Sequence, residues 1–91
     1  MTFRIAPVWF ALSLATVAGA AVAGPTCTQA PQDRWIPADR FRQQLADAGY
    51  RIDVFKTTKG QCYEIYGRDK SGQRVEVYFD PVTGKVVKQS S

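Results

Sequence analysis

Glu64 and Glu76 fall at alternate positions of two neighbouring β-type segments, where a pair of carboxyl groups could act as general acid and base. Nothing around them in the sequence predicts burial or a displaced pKa, so the expected setting is a solvated sheet face. The chain has no histidine, which removes the usual base for a serine or cysteine nucleophile. With two cysteines and no clustered set of carboxylates, a transition-metal site is not expected either. The expectation is a non-enzymatic protein without a cofactor.

The two cysteines, Cys27 and Cys62, are far apart and form no CxxC motif, which argues against a redox-active pair. Their state depends on compartment. Arg4 precedes an uncharged apolar run from Ile5 to Ala23 that ends in small residues, the pattern of a secretory signal peptide over residues 1–23. Cleavage is expected after Ala23, with a cut after Ala20 as a second candidate; an uncleaved anchor or a buried helix are the other readings of the run. This implies a periplasmic or secreted location, with no stable membrane insertion after cleavage. In that oxidising setting an even cysteine count is most simply one disulfide, with two buried free thiols as the alternative.

Removal of residues 1–23 leaves 68 residues, below the ~70–80 at which an apolar core alone supports a domain. A bridge closing the Cys27–Cys62 loop would contribute about 4 kcal/mol in the entropic model and tether the lead to the body. The processed chain carries eleven Lys and Arg against eight Asp and Glu, dispersed without blocks. That small excess describes a solvated surface rather than a nucleic-acid groove, and export argues independently against nucleic acid.

Residues 24–34 hold two prolines and little apolar content, so an extended lead is expected before a domain over residues 35–91. Pro37 and Asp39 suit a helix N-terminus, and Ala38, Phe41, Leu45 and Ala48 recur at helical spacing. Gly49 marks the helix end. The period then changes to alternation: Tyr50, Ile52 and Val54; Tyr63 and Ile65 opposite Cys62, Glu64 and Tyr66; Val75, Val77 and Phe79 opposite Glu76 and Tyr78. Turns are expected at Lys59-Gly60, at Asp69 to Gly72 and at Asp80 to Gly84, the last leading to a short Val86-Val87 edge. The sum is an α+β fold, one N-terminal helix on a three- to four-stranded antiparallel meander. Phe41 and Leu45 should lie across Ile52 or Val54, Ile65, Val75, Val77 and Phe79.

Leu45-x-x-x-Gly49-Tyr50, Gly60-x-Cys62-Tyr63-Glu64-Ile65-Tyr66-Gly67, Gly72, Val75-Glu76-Val77-Tyr78 and Asp80-Pro81-x-Thr83-Gly84-Lys85-Val86-Val87 together resemble the PepSY domain family. The resemblance spans about Trp35 to Val87. It implies a helix-on-sheet, PepSY or cystatin-like fold and a role in binding or restraining peptidases, since such domains accompany secreted metallopeptidase propeptides and occur as small exported proteins. It carries no mapped active site.

Candidate contact residues for an envelope protein, with a peptidase as the candidate partner, are Trp35, Tyr66 and Tyr78. Trp35 is first of all expected to pack over the helix start, and the two tyrosines to share the outward sheet side. A small-ligand or cell-wall binder using a cleft between helix and sheet is the competing reading.

Overall fold

A computed structural model of the chain describes residues 24–91, so the expected signal peptide lies outside the described residues. One helix, α1 (Ala38–Asp47), is followed by strands β1 (Arg51–Thr57), β2 (Tyr63–Arg68), β3 (Arg74–Phe79) and β4 (Val86–Ser90). The strands form a four-stranded antiparallel sheet in chain order, each paired with its sequence neighbour. The expected α+β meander is present.

The helix starts at Pro37 without a side-chain cap, with Asp39 in its first turn. It ends as Gly49 takes φ +99° and the Tyr50 N–H donates to the Leu45 carbonyl at 3.0 Å, a closure that uses glycine's freedom at this position. Only Phe41 and Leu45 are buried along it; Ala38 and Ala48, expected on the same face, stay exposed at its two ends.

Phe41 is the centre of the core. Its ring stacks on Tyr63 at 5.5 Å and meets Phe79 edge-on at 5.0 Å and Phe55 at 6.5 Å, while Leu45, Ile65, Val75 and Val77 complete the apolar layer. The Trp35 ring meets Tyr63 edge-on at 5.5 Å, and its indole N–H donates to the Ala30 carbonyl at 3.0 Å. The Tyr63 hydroxyl donates to the Ile36 carbonyl at 2.6 Å, so this core tyrosine also fixes the entry to the helix.

Strand β1 departs from simple alternation. A bulge between Ile52 and Val54 shifts the register, so Ile52 and Phe55 pack on the core while Val54 turns out to solvent. The choice between Ile52 and Val54 therefore falls to Ile52, and the second inward residue of the strand is Phe55, which a strict two-residue period hides.

Cys27 and Cys62 form a disulfide with Cα atoms 5.1 Å apart. The lead is not wholly extended, since Gln32–Arg34 form a 3₁₀ turn. Its first residues run against the β1–β2 turn: the Cys27 N–H donates to the Gly60 carbonyl at 2.9 Å, and a side chain at Gly60 would collide with the Pro25 carbonyl. Gly60 is thus needed for close approach, and the left-handed residue of this turn is Gln61, at φ +61°. At the other turn Asp80 Oδ1 accepts from Val82 N at 2.8 Å, Gly84 N donates to the Asp80 carbonyl at 2.7 Å, and buried Pro81 accepts from Ile36 N at 2.8 Å. The Asp-Pro-x-Thr-Gly segment therefore closes a hairpin and also docks onto the chain entering the helix.

Phe41→Ala is expected to lower folding stability by about 3–5 kcal/mol, enough in so small a domain to shift a urea transition to near-zero denaturant. Reduction of the bridge is expected to cost about 2–4 kcal/mol, read as a lower unfolding midpoint with and without reductant.

Candidate functional site

On the sheet face turned away from α1, Glu64, Tyr66, Glu76 and Tyr78 form two adjoining cross-strand pairs. Glu64 stands opposite Tyr78, and Tyr66 opposite Glu76, so the two carboxyls and the two phenols each lie on a diagonal. The Tyr78 hydroxyl donates to Glu76 Oε2 at 3.0 Å. From β1, the Lys56 ammonium reaches Glu64 Oε1 at 3.9 Å and lies 5.6 Å from the centre of the Tyr66 ring.

Contrary to the expectation of a solvated face, the Glu64 side chain is only 4% exposed and its Oε2 accepts no hydrogen bond. The reason is the lead. Cys62 belongs to the same turn-and-strand segment as Glu64, so the bridge draws Gly24 to Thr26 over this end of the sheet. Gly24, Thr26, Lys56, Thr57, Gly60, Glu64, Tyr66 and Tyr78 are among the residues lining an open groove of 570 Å³.

The surroundings drive the proton affinities of the two carboxyls apart. Burial pushes Glu64 above the usual carboxylate range and the adjacent Glu76 carboxyl adds to this, against a lowering contribution from Tyr66 and Tyr78. Glu76 is held below its usual range, first by the Glu64 carboxyl beside it and then by the two tyrosine hydroxyls and Lys88. When the pair takes up its first proton, that proton therefore goes to Glu64 and the charge stays on Glu76. Tyr66 is pushed up to about 12 by its bonding to Glu76 and Glu64, and Tyr78 is raised by burial and then by the same two acids. Both phenols are donors at neutral pH.

The sequence-level candidates divide. Tyr66 is 40% exposed and Tyr78 half-buried beside it, so these two do meet on one face. Trp35 does not join them: its ring is buried in the core on the helix side and its indole N–H is already satisfied within the chain. That placement corrects the expectation of Trp35 as a contact residue, because an aromatic already enclosed by Tyr63 offers no free face. Between helix and sheet the core is filled by Phe41, Tyr63, Phe79 and Phe55, and the open groove there, of 450 Å³, lies at the flank, lined by Asp39, Arg42, Gln43 and Ala46 of α1 with Tyr50 and Ile52. Lys56, Gly24 and Thr26 were not foreseen, although the placing of Cys62 on the outward side was a signal that any bridge to Cys27 would carry the lead onto that face.

A family model described as the peptidase propeptide and YPEB domain, PepSY_2, matches residues 7–90. The chain belongs to the PepSY family. No curated protein and no solved structure matches it. PepSY domains are non-catalytic, typically extracytoplasmic modules that generally interact with peptidases. Among the described residues no group of three or more His, Cys, Asp or Glu could hold a metal ion. The outer-face quartet of this PepSY domain is thus a polar surface cluster, and its chemistry is hydrogen bonding and charge pairing.

Because the folded-state pKa of Glu76 is depressed, its contribution to stability is present above the unfolded value of about 4.3 and is lost as pH falls through the lower folded value. Tyr78→Phe removes one donor to it. The variant is expected to show a higher Glu76 pKa by carboxyl NMR, an acid transition that starts at higher pH, and a loss of about 1 kcal/mol at neutral pH.

Proposed function

We propose that this PepSY protein is exported, loses residues 1–23, and acts as a non-catalytic module that binds and restrains a peptidase of the periplasm or the cell exterior. Docking runs through the outer sheet face around Tyr66 and Tyr78. One observation carries the choice of face: Tyr66, 40% exposed, lies between the outward Val54, 45% exposed, and the Lys56 chain, at the mouth of an open groove. An aromatic ring with an apolar neighbour and a hydrogen-bonding tip has the make-up of an interface anchor.

Strand β4 supplies a second route to the same activity. Among the described residues it pairs only with β3, leaving its other edge unpaired, and Val86 and Val87 on it are 49% and 44% exposed. An extended segment of a peptidase could add there as a fifth strand. Among the described residues, the aromatic filling of the core leaves a small ligand only the flanking groove lined by Asp39, Arg42, Gln43, Ala46, Tyr50 and Ile52 as a helix-to-sheet site.

The test uses the processed protein and purified metallopeptidases of its own envelope. Expected are a one-to-one complex, a loss of peptidase activity that titrates with the added protein, and at least tenfold weaker binding for the Tyr66→Ala, Tyr78→Ala double variant. Unchanged binding by that double variant combined with loss on placing proline in β4 transfers docking to the strand edge. Thermal stabilisation by envelope metabolites without any protein partner supports the small-ligand reading instead.

A further inference from the structure

We propose that the outer sheet face contains a binding site for a primary ammonium group, with Glu64 as its acceptor, and that the ligand is the α-amino group of Gly24 released when residues 1–23 are removed. The inference rests on the proposed export and cleavage and adds what the new terminus does.

Glu64 supplies the first observation. Its side chain is more than nine-tenths buried, and as a carboxylate its Oε2 has no donor among the described groups. Buried acceptors in folded proteins are nearly always satisfied, so an orphan aimed into a groove calls for a partner. Lys56 approaches only Oε1, at 3.9 Å, from a half-exposed position.

The position of Gly24 supplies the second. It lines the same groove, and its backbone lies so near Tyr78 that a Cβ there would come within 2.9 Å of Tyr78 Cε2 and 3.0 Å of the hydroxyl oxygen. That hydroxyl is 3.0 Å from Glu76 Oε2, and Tyr78 is the direct cross-strand partner of Glu64. Three contacts of the next few residues hold Gly24 there: the Pro25 carbonyl against Gly60, the Cys27 N–H on the Gly60 carbonyl, and the disulfide.

Charge supplies the third. While residue 24 remains in peptide linkage its nitrogen offers one neutral N–H, and the neighbouring Glu64 and Glu76 carboxyls have no full positive charge between them. Hydrolysis of the Ala23–Gly24 bond adds one water, leaving a carboxylate on Ala23 and an ammonium with three donors on Gly24. The ammonium brings a positive charge to the two acids, any proton on Glu64 passes to solvent, and the new terminus gains a contact on the sheet in addition to those that already hold the lead. A cut after Ala20 would leave three more residues and move the amine up to about 10 Å along the chain, outside the groove.

Around this site stand Lys56 from β1, Tyr66 from β2, Glu76 and Tyr78 from β3, Lys88 from β4 and Lys59 from the β1–β2 turn. The net effect of the two acids should raise the α-amine above its ordinary value of about 8. Its contribution to stability is then complete below that value and lost as pH rises through the raised one.

The full-length chain is expressed with export and purified, and its first residue is read from the intact mass. Acetic anhydride at limiting concentration then measures α-amine reactivity against pH, in the native protein and in the reduced, urea-unfolded chain. The expected result is a chain beginning at Gly24 whose amine reacts about tenfold more slowly at pH 7 when folded, with Glu64→Gln restoring a rate within about twofold of the unfolded one and Lys56→Gln leaving the protection in place. Should Glu64→Gln fail to fold, carboxyl NMR of the unsubstituted protein decides: the Glu64 resonance must move as the α-amine titrates. A chain starting at Gly24 with an unprotected amine, and a Glu64 carboxyl indifferent to it, overturns the site while leaving export intact. A product beginning at Ala21, or one retaining residues 1–23, overturns the cleavage reading and with it the ligand.

Discussion

A single ten-residue helix can cover only one face of a four-stranded sheet, and the Cys27–Cys62 bridge determines what becomes of the other. On the helix side, burial of Phe41, Leu45 and the inward residues of the strands drives folding in the ordinary way. Among the described residues no second helix covers the far side. The bridge brings the lead across one end of that face, and the polar groups beneath it are removed from water. The disulfide therefore has two consequences that are usually separate: it restricts the unfolded chain, and it creates a half-enclosed polar groove in the folded one.

The helix, the meander and most of the core were legible in the sequence because each rests on a period. Phe41 and Leu45 share a helical face, and Tyr63, Ile65, Val75, Val77 and Phe79 share a sheet face, so local pattern and final packing agree. Strand β1 broke the rule at one point. The bulge after Ile52 inverts the phase for the rest of the strand, and no residue at Asp53 announces it; the sequence correlate is Gly67 opposite, where a side chain would strike the Arg51 carbonyl. Turn chemistry was read with the same partial success. Asp80 to Gly84 behaves as its residues dictate, whereas at Lys59-Gly60 the glycine is consumed by close approach to Pro25 and the left-handed backbone falls on Gln61.

The quartet was the least legible part. Alternation correctly placed Glu64, Tyr66, Glu76 and Tyr78 on one side, but alternation gives the side of a residue and says nothing of what else lies there. Whether Glu64 is wet or dry depends on a contact made by residues some forty positions earlier, through a bridge whose partners are visible and whose path is not. Trp35 shows the converse. An aromatic near the start of a small domain reads equally well as anchor or core, and the geometry around Tyr63 places it in the core.

A neighbouring pair of carboxyls with proton affinities driven apart resembles the acid–base dyads of enzymes, and the difference here lies in what surrounds the pair. A catalytic dyad directs its free lone pairs at substrate, in a site that excludes water once the substrate is bound. Glu76 instead accepts from the Tyr78 hydroxyl and sits near Lys88, and both phenols remain protonated well above neutral pH, so part of its acceptor capacity is engaged within the sheet. What remains open is one oxygen of Glu64 and the exposed ring of Tyr66, at the rim of a shallow groove. An open lone pair suits the capture of a cation, and an exposed ring suits burial against a partner. The same cluster that would suggest catalysis in a deep pocket thus suits recognition on a sheet face, in keeping with the non-catalytic character of the PepSY family.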